Sequence, residues 1–250
     1  MMSALLKIMN IIGILVCIVS MMPSHARTEF STCLYDMERE RPVPVTVYLP
    51  EKIGSQTNVV IFNHGYDKNK NPESKRTYSF LTRFLAQKGY YVISIQHELP
   101  NDPLLAMEGK LMETRMPNWK RGEENIIFTI NQFKKIYPEF NWEKLVMMGH
   151  SNGGDMTMLM AAHHPGLLDK AISLDHLRMI VPKINHPRIC TLRASDCVAD
   201  PGVLPDPAEQ KKHGIVVIQL NEIGHADMGD KGTSSQHERI NKHILDFLNQ

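Results

Sequence analysis

Gly149-His150-Ser151-Asn152-Gly153 stands directly after the apolar run Leu145-Val146-Met147-Met148. Together the two segments describe a strand that turns sharply into a helix with a serine at the apex, a Gly-x-Ser-x-Gly nucleophile elbow. Such a turn is strained and crowded, and a Cβ at either glycine would collide with neighbouring backbone. It holds the Ser151 hydroxyl away from the sheet, where a base and a substrate both reach it. The five-residue pattern alone is weak, since average glycine and serine usage produces it in roughly one chain in ten of this length. An idle serine on a tight turn would carry the same residues. The flanks favour the elbow, because a helix-like run continues from Asn152 to His163. A nucleophilic Ser151 then requires an acid, a base and oxyanion donors elsewhere, in a particular order.

Outward from the elbow, strand and helix signals alternate. Pro42 to Pro50 alternates like a half-buried strand near a sheet edge. Asn58 to Asn63 is a continuous apolar run, which suits a strand covered on both faces. Tyr78 to Lys88 has helical spacing and ends at Gly89, and Tyr90 to Ile95 is the next strand. Glu123 to Tyr137 is an amphipathic helix. Ala171–Leu174, Arg188–Leu192 and Ile215–Leu220 are three more strands, and a last helix runs from about Gln236 to Leu248. The pattern predicts an α/β fold with a mostly parallel central sheet flanked by helices. Ligands in such sheets bind beyond the carboxyl ends of the strands.

The chain has 250 residues, the size of one large α/β domain, with no repeats or linker-like tracts. Residues 1–26 differ from the rest. Lys7 is their only charged side chain, Ile11 to Val19 is almost wholly apolar, and Ser24-His25-Ala26 offers small residues for cleavage. They read as a secretory signal peptide cut after Ala26, leaving residues 27–250 as one catalytic domain, secreted or periplasmic. An uncleaved anchor is the other reading, but the apolar run is short for a membrane span of about 20 residues. Cys17 does not suit a lipoprotein, because Val16 stands where a small residue would be expected. The mature chain carries 27 basic and 27 acidic side chains and no basic stripe, which disfavours nucleic acid as a partner. Cys33, Cys190 and Cys197 remain after cleavage. A Cys190–Cys197 disulfide and a buried Cys190 thiol on a strand are both open.

Three strand ends carry the residues the chemistry needs. Asn63-His64-Gly65-Tyr66 follows the first buried strand. Its backbone, through the N–H of Tyr66, complements the N–H of Asn152 as an oxyanion hole. His64 reads better as a prop for this loop than as a catalytic group, and its side chain is a candidate substrate contact. Ala194-Ser195-Asp196 follows the Arg188–Leu192 strand, and Asp196 is the expected acid, with Asp200 and Asp175 as rivals. Gly224-His225 follows the last strand, and His225 is the expected general base, then general acid. The order Ser151, Asp196, His225 is that of the α/β-hydrolase triad and not those of the chymotrypsin or subtilisin folds. No histidines pair at zinc-site spacing, so neither a metal nor a cofactor is expected.

On Asn63-His64-Gly65, Gly149-His150-Ser151-Asn152-Gly153-Gly154, Asp196 and Gly224-His225, the chain resembles the α/β-hydrolase superfamily. Within it, the chain looks like the broad group of dienelactone hydrolases, platelet-activating-factor acetylhydrolases and serine-aminopeptidase-like proteins. The resemblance spans roughly Arg41 to Leu248 and implies an eight-stranded-type sheet and Ser–His–Asp hydrolysis through an acyl-enzyme. It fixes no substrate, and the superfamily includes non-catalytic binding members. Ser151 in place of cysteine separates the chain from dienelactone hydrolase proper. The short Asp175–Pro187 segment leaves no room for a large lid domain. The insertion His97–Arg121 holds Met112, Met116 and Trp119, candidates for a soft apolar rim around an acyl chain or simply a cover for the sheet end. Arg115, Lys120 and Arg121 are candidates to meet a carboxylate or phosphate, or plain solvated residues. The expected partner is a small-molecule ester or acyl compound. Peptide or amide cleavage is the alternative, with Glu98, Asp102 and Glu108 as possible anchors for an amine.

Overall fold

The structure, a computed structural model, describes residues 28–250. The expected signal peptide lies outside the described residues. Eight strands form one sheet: β1 (Glu29–Asp36), β2 (Arg41–Tyr48), β3 (Asn58–Asn63), β4 (Tyr91–Ile95), β5 (Asn141–His150), β6 (Lys170–Leu174), β7 (Arg188–Arg193) and β8 (Val216–Gln219). Their order in space is β1-β2-β4-β3-β5-β6-β7-β8. The first two pairings are antiparallel, and from β4 across to β8 every pairing is parallel. The α-helices are α1 (Ser79–Gln87), α2 (Leu111–Thr114), α3 (Met116–Ile136), α4 (Asn152–His163), α5 (Pro207–His213) and α6 (Ser234–Leu248). This is the α/β-hydrolase fold.

Strand periodicity divides the core in two. Val59 and Ile61 of β3 pack in one cluster with Trp119, Ile126 and Ile130 of α3 and Met156 and Leu159 of α4. Val60 and Phe62 pack in the other with Leu81 and Leu85 of α1 and Ile240, Ile244 and Phe247 of α6. A strand buried on both sides has no polar face, which is why β3 reads as an unbroken apolar run. The chain leaves β3 toward β4 by α1 on one face and leaves β5 toward β6 by α4 on the other. The carboxyl ends of β3 and β5 therefore flank a switch point in the topology, where a crevice opens.

Some elements depart from expectation. The sheet edges are β1 and β8; the Pro42–Pro50 segment is β2, next to the edge as expected, and β1 itself was not anticipated. β1 carries polar or exposed residues at Glu29, Ser31, Cys33 and Tyr35, so it gives little hydrophobic signal. α3 begins at Met116 rather than Glu123, and most of its first two turns belong to the expected insertion. Pro117 and Gly122 hide this start, although Pro117 falls in the first turn, where proline is tolerated. Gly122 faces Met156, whose side chain occupies the space a Cβ would need. Cys33, Cys190 and Cys197 are free, so Cys190 is a buried strand thiol and the disulfide does not form. Among the described residues no helix is long and apolar enough to cross a membrane.

Candidate active site

The turn between β5 and α4 places Ser151 at φ 53°, ψ −121°, a conformation that L-residues avoid. Neighbouring strands hold it there. Ser151 N–H donates to the Leu174 carbonyl at the end of β6 at 2.9 Å, and its own carbonyl accepts from Asp155 N–H at 2.9 Å. The glycines allow the close approach. A Cβ on Gly149 would land on the Gly153 carbonyl, and one on Gly153 would land on the Asn63 carbonyl.

Ser151 Oγ lies 3.0 Å from His225 Nε2, and His225 Nδ1 lies 2.6 Å from Asp175 Oδ2. A carboxylate only accepts, so Nδ1 carries the proton and Nε2 is left to accept from the serine hydroxyl. The structure thus brings Ser151 and His225 together, but the carboxylate on the ring is Asp175, not the expected Asp196. Asp175 is fully buried at the end of β6. Its Oδ1 accepts from Ala194 N–H at 3.0 Å and pairs with Arg193 Nη2 at 2.8 Å. Burial pulls its pKa upward, but the His225 hydrogen bond, Arg193 and the Ala194 amide outweigh this and hold it below the usual range.

Asp196 is exposed, and its Oδ1 accepts from the backbone N–H of His225 at 2.7 Å. It positions the histidine loop from outside the ring system. Asp200 is engaged by Arg178 at 2.6 Å. Asp175 and Asp196 both follow strands, and the order Ser, Asp, His holds for either. Only the distance across the sheet separates them.

Asn152 is the first residue of α4, so no residue of that helix can accept its N–H. Gly65 N–H is taken by the Tyr78 hydroxyl at 3.1 Å. The next donor along the loop is Tyr66 N–H, and Tyr66 lines the cleft beside Ser151. Its own hydroxyl accepts from Leu105 N–H at 3.0 Å, which ties the loop to the insertion. His150 and Tyr78 were not expected here. The Tyr78 hydroxyl lies 2.7 Å from His150 Nδ1, and the His150 ring lies 4.5 Å from that of His225. Burial, reinforced by the nearby His225, lowers the His150 pKa to about 3. His150 therefore stays neutral beside the His225 ring.

The cleft has a volume of about 870 Å³. Its floor is Gly65, Tyr66, His150, Ser151 and His225, and its walls carry Asp67, Glu73, Arg76, Asp230 and Lys231. None of the expected substrate contacts lines it. Met112 and Met116 pack against the α3 side of the core. Trp119 is fully buried and donates its indole N–H to Asn152 Oδ1 at 2.8 Å. His64 is buried beneath the loop. The insertion covers the sheet end and does not form an acyl rim. The carboxylates considered as amine anchors are elsewhere too: Glu98 is buried, Asp102 pairs with Arg41 at 2.7 Å, and Glu108 is outside the lining. The walls were missed because they follow β3 and His225 in loops without periodicity.

A model of the chlorophyllase family matches residues 22–180. That span holds Ser151 and Asp175, while Asp196 and His225 lie beyond it. The serine hydrolase-like protein of Dictyostelium discoideum is 27% identical over 119 residues, 47% of this chain and 28% of that one. The match thus spans under a third of that relative. Pyrococcus horikoshii acylaminoacyl peptidase superposes with a TM-score of 0.65 at 14% identity, covering 90% of this chain and 42% of that one. A butyrate-bound esterase of Thermogutta terrifontis does so with a TM-score of 0.60 at 11% identity, covering 90% and 96%. At these identities the two structures share a fold with this chain.

Proposed function

The chain belongs to the chlorophyllase family, and from that premise we propose that it is a serine hydrolase cleaving carboxylic esters through an acyl-enzyme. The observation that carries this is the line Ser151 Oγ, His225 Nε2 at 3.0 Å and His225 Nδ1, Asp175 Oδ2 at 2.6 Å. In the first half-reaction Ser151 Oγ attacks the ester carbonyl and its proton passes to His225 Nε2. The oxyanion that forms is held by Asn152 and Tyr66 N–H. The imidazolium, stabilised by ionised Asp175, then protonates the leaving alkoxide, and Ser151 carries the acyl group. In the second half water attacks that ester with His225 as base, and the acid product leaves.

The mixed charges on the cleft walls and the absence of Met112 and Met116 from them support a short or polar acyl group. We read residues 1–26 as an export signal, which supports a secreted or periplasmic enzyme.

The test is covalent labelling by a fluorophosphonate, with Ser151→Ala as control, followed by a series of p-nitrophenyl esters of rising acyl length. Labelling that vanishes in Ser151→Ala, with rates highest for the shortest acyl groups, is the expected result. A folded wild type that neither labels nor hydrolyses any ester would point to a binding member of the fold.

A further inference from the structure

A second polar cluster lies buried beneath the cleft floor: His64, Glu98, Asn118, Trp119 and the side chain of Asn152. The steps above use none of these side chains. Glu98, just beyond β4, is 4% exposed. Its Oε1 accepts from Asn152 Nδ2 at 3.1 Å. Its Oε2 is buried without a hydrogen-bond partner and lies 3.6 Å from His64 Nε2. A buried carboxyl with an orphaned oxygen costs stability, and an apolar side chain there would not. Burial, partly offset by His64, pushes this carboxyl above its ordinary pKa.

Both ends of the cluster reach an oxyanion donor. The Asn152 amide is fully engaged: Oδ1 accepts from Trp119 Nε1 at 2.8 Å, and Nδ2 donates to Glu98 and to Asn118 Oδ1 at 3.0 Å. This fixes the residue whose backbone N–H opens α4. At the other end His64 Nδ1–H donates to the Gly65 carbonyl at 2.7 Å, and His64 Nε2 accepts from His97 N–H at 3.0 Å. The Gly65–Tyr66 peptide is trans, so its carbonyl and the Tyr66 N–H point in opposite directions. Turning the carbonyl down onto His64 turns the Tyr66 N–H up into the cleft.

We propose that Glu98 is a positioning residue shared by the two oxyanion donors: one oxygen holds Asn152 by a hydrogen bond, and the other packs against the His64 ring at 3.6 Å and keeps it under the Gly65–Tyr66 peptide. The proposal rests on the serine hydrolase reading above. Glu98 never touches substrate. It limits the reorganisation the donors need when the oxyanion forms.

The experiment compares Glu98→Leu and Glu98→Gln with wild type by kcat, KM and the Ki of a trifluoromethyl ketone that forms a tetrahedral adduct. The expected result for Glu98→Leu is a kcat about 10- to 100-fold lower and a Ki raised by a similar factor, with KM unchanged. Glu98→Gln keeps the side-chain size and the acceptor for Asn152, so kcat returns to within about threefold of wild type. If Glu98→Leu does not fold, Trp119→Phe removes the indole N–H from Asn152, together with part of the buried ring, and should lower kcat with KM held. Unchanged kcat and Ki in Glu98→Leu would overturn the proposal, as would a loss carried by KM alone. An inert wild type would instead remove the hydrolase reading, and this proposal with it. An active wild type with an insensitive Glu98→Leu would remove only the proposal.

Discussion

At the level of single residues, two aspartates flank one histidine and their roles differ by which atoms they meet. Asp175 accepts from the imidazole Nδ1, and Asp196 accepts from the backbone of the same residue. In Asp175→Asn the remaining oxygen stays with Ala194 N–H and Arg193, an NH2 faces His225 Nδ1 and imposes the wrong tautomer, and kcat should fall by about 10⁴. Asp196→Asn keeps an oxygen for the His225 amide and should lower it by less than about tenfold. Steady-state kinetics on one p-nitrophenyl ester ranks the two, and equal losses would return the acid role to dispute. Arg193 is 3% exposed against a fully buried Asp175. Arg193→Met leaves that carboxylate without its counter-charge and should cost about 3–5 kcal/mol in urea unfolding at neutral pH. The pH dependence follows from the sign of the Asp175 shift. Its folded pKa lies below the usual 3.8, so its contribution is present above that value and is lost as pH falls through the lowered one. Removing Arg193 raises the folded value and moves the acid loss of stability to higher pH. Unfolding of wild type and variant measured across the acid range checks the direction.

At the level of elements, the elbow is the joint between β3, β5 and α4, and its glycines are set by neighbouring backbone. Gly153→Ala would drive a methyl into the Asn63 carbonyl. It should cost several kcal/mol and leave little folded protein, as read by soluble yield and melting temperature. α6 covers one face of the sheet behind the His225 loop and starts with a capping box, in which the Thr233 side chain accepts from Gln236 N–H and Gln236 reaches back. Thr233→Ala should cost about 1 kcal/mol, with activity retained at temperatures where the variant stays folded. Central strands and α4 are legible in the sequence because burial on both faces or on all sides makes their residues predominantly apolar. β1, the first turns of α3 and α5 are less so. An edge strand, a helix start with Pro117 and Gly122, and a short surface helix bury too little for periodicity to register.

Across the whole molecule, the two half-cores hold the carboxyl ends of β3, β5, β6 and β7 level, so loops distant in sequence meet in one cleft. Its charged walls predict that p-nitrophenyl acetate is turned over faster than long-chain esters. A rate that rises with acyl length would sink that reading. Sequence alone determined the fold class, the elbow serine Ser151 and the histidine it meets, because each follows from local pattern: a buried strand, a glycine-framed turn, a loop after the last strand. Tertiary structure decided the acid, the burial of Trp119 and His64 away from the cleft, and the makeup of its walls. Those depend on which side chains lie within about 3 Å across a twisted sheet. Asp175 and Asp196 each follow a strand, and the packing of β6 between β5 and β7 brings Asp175 to the ring.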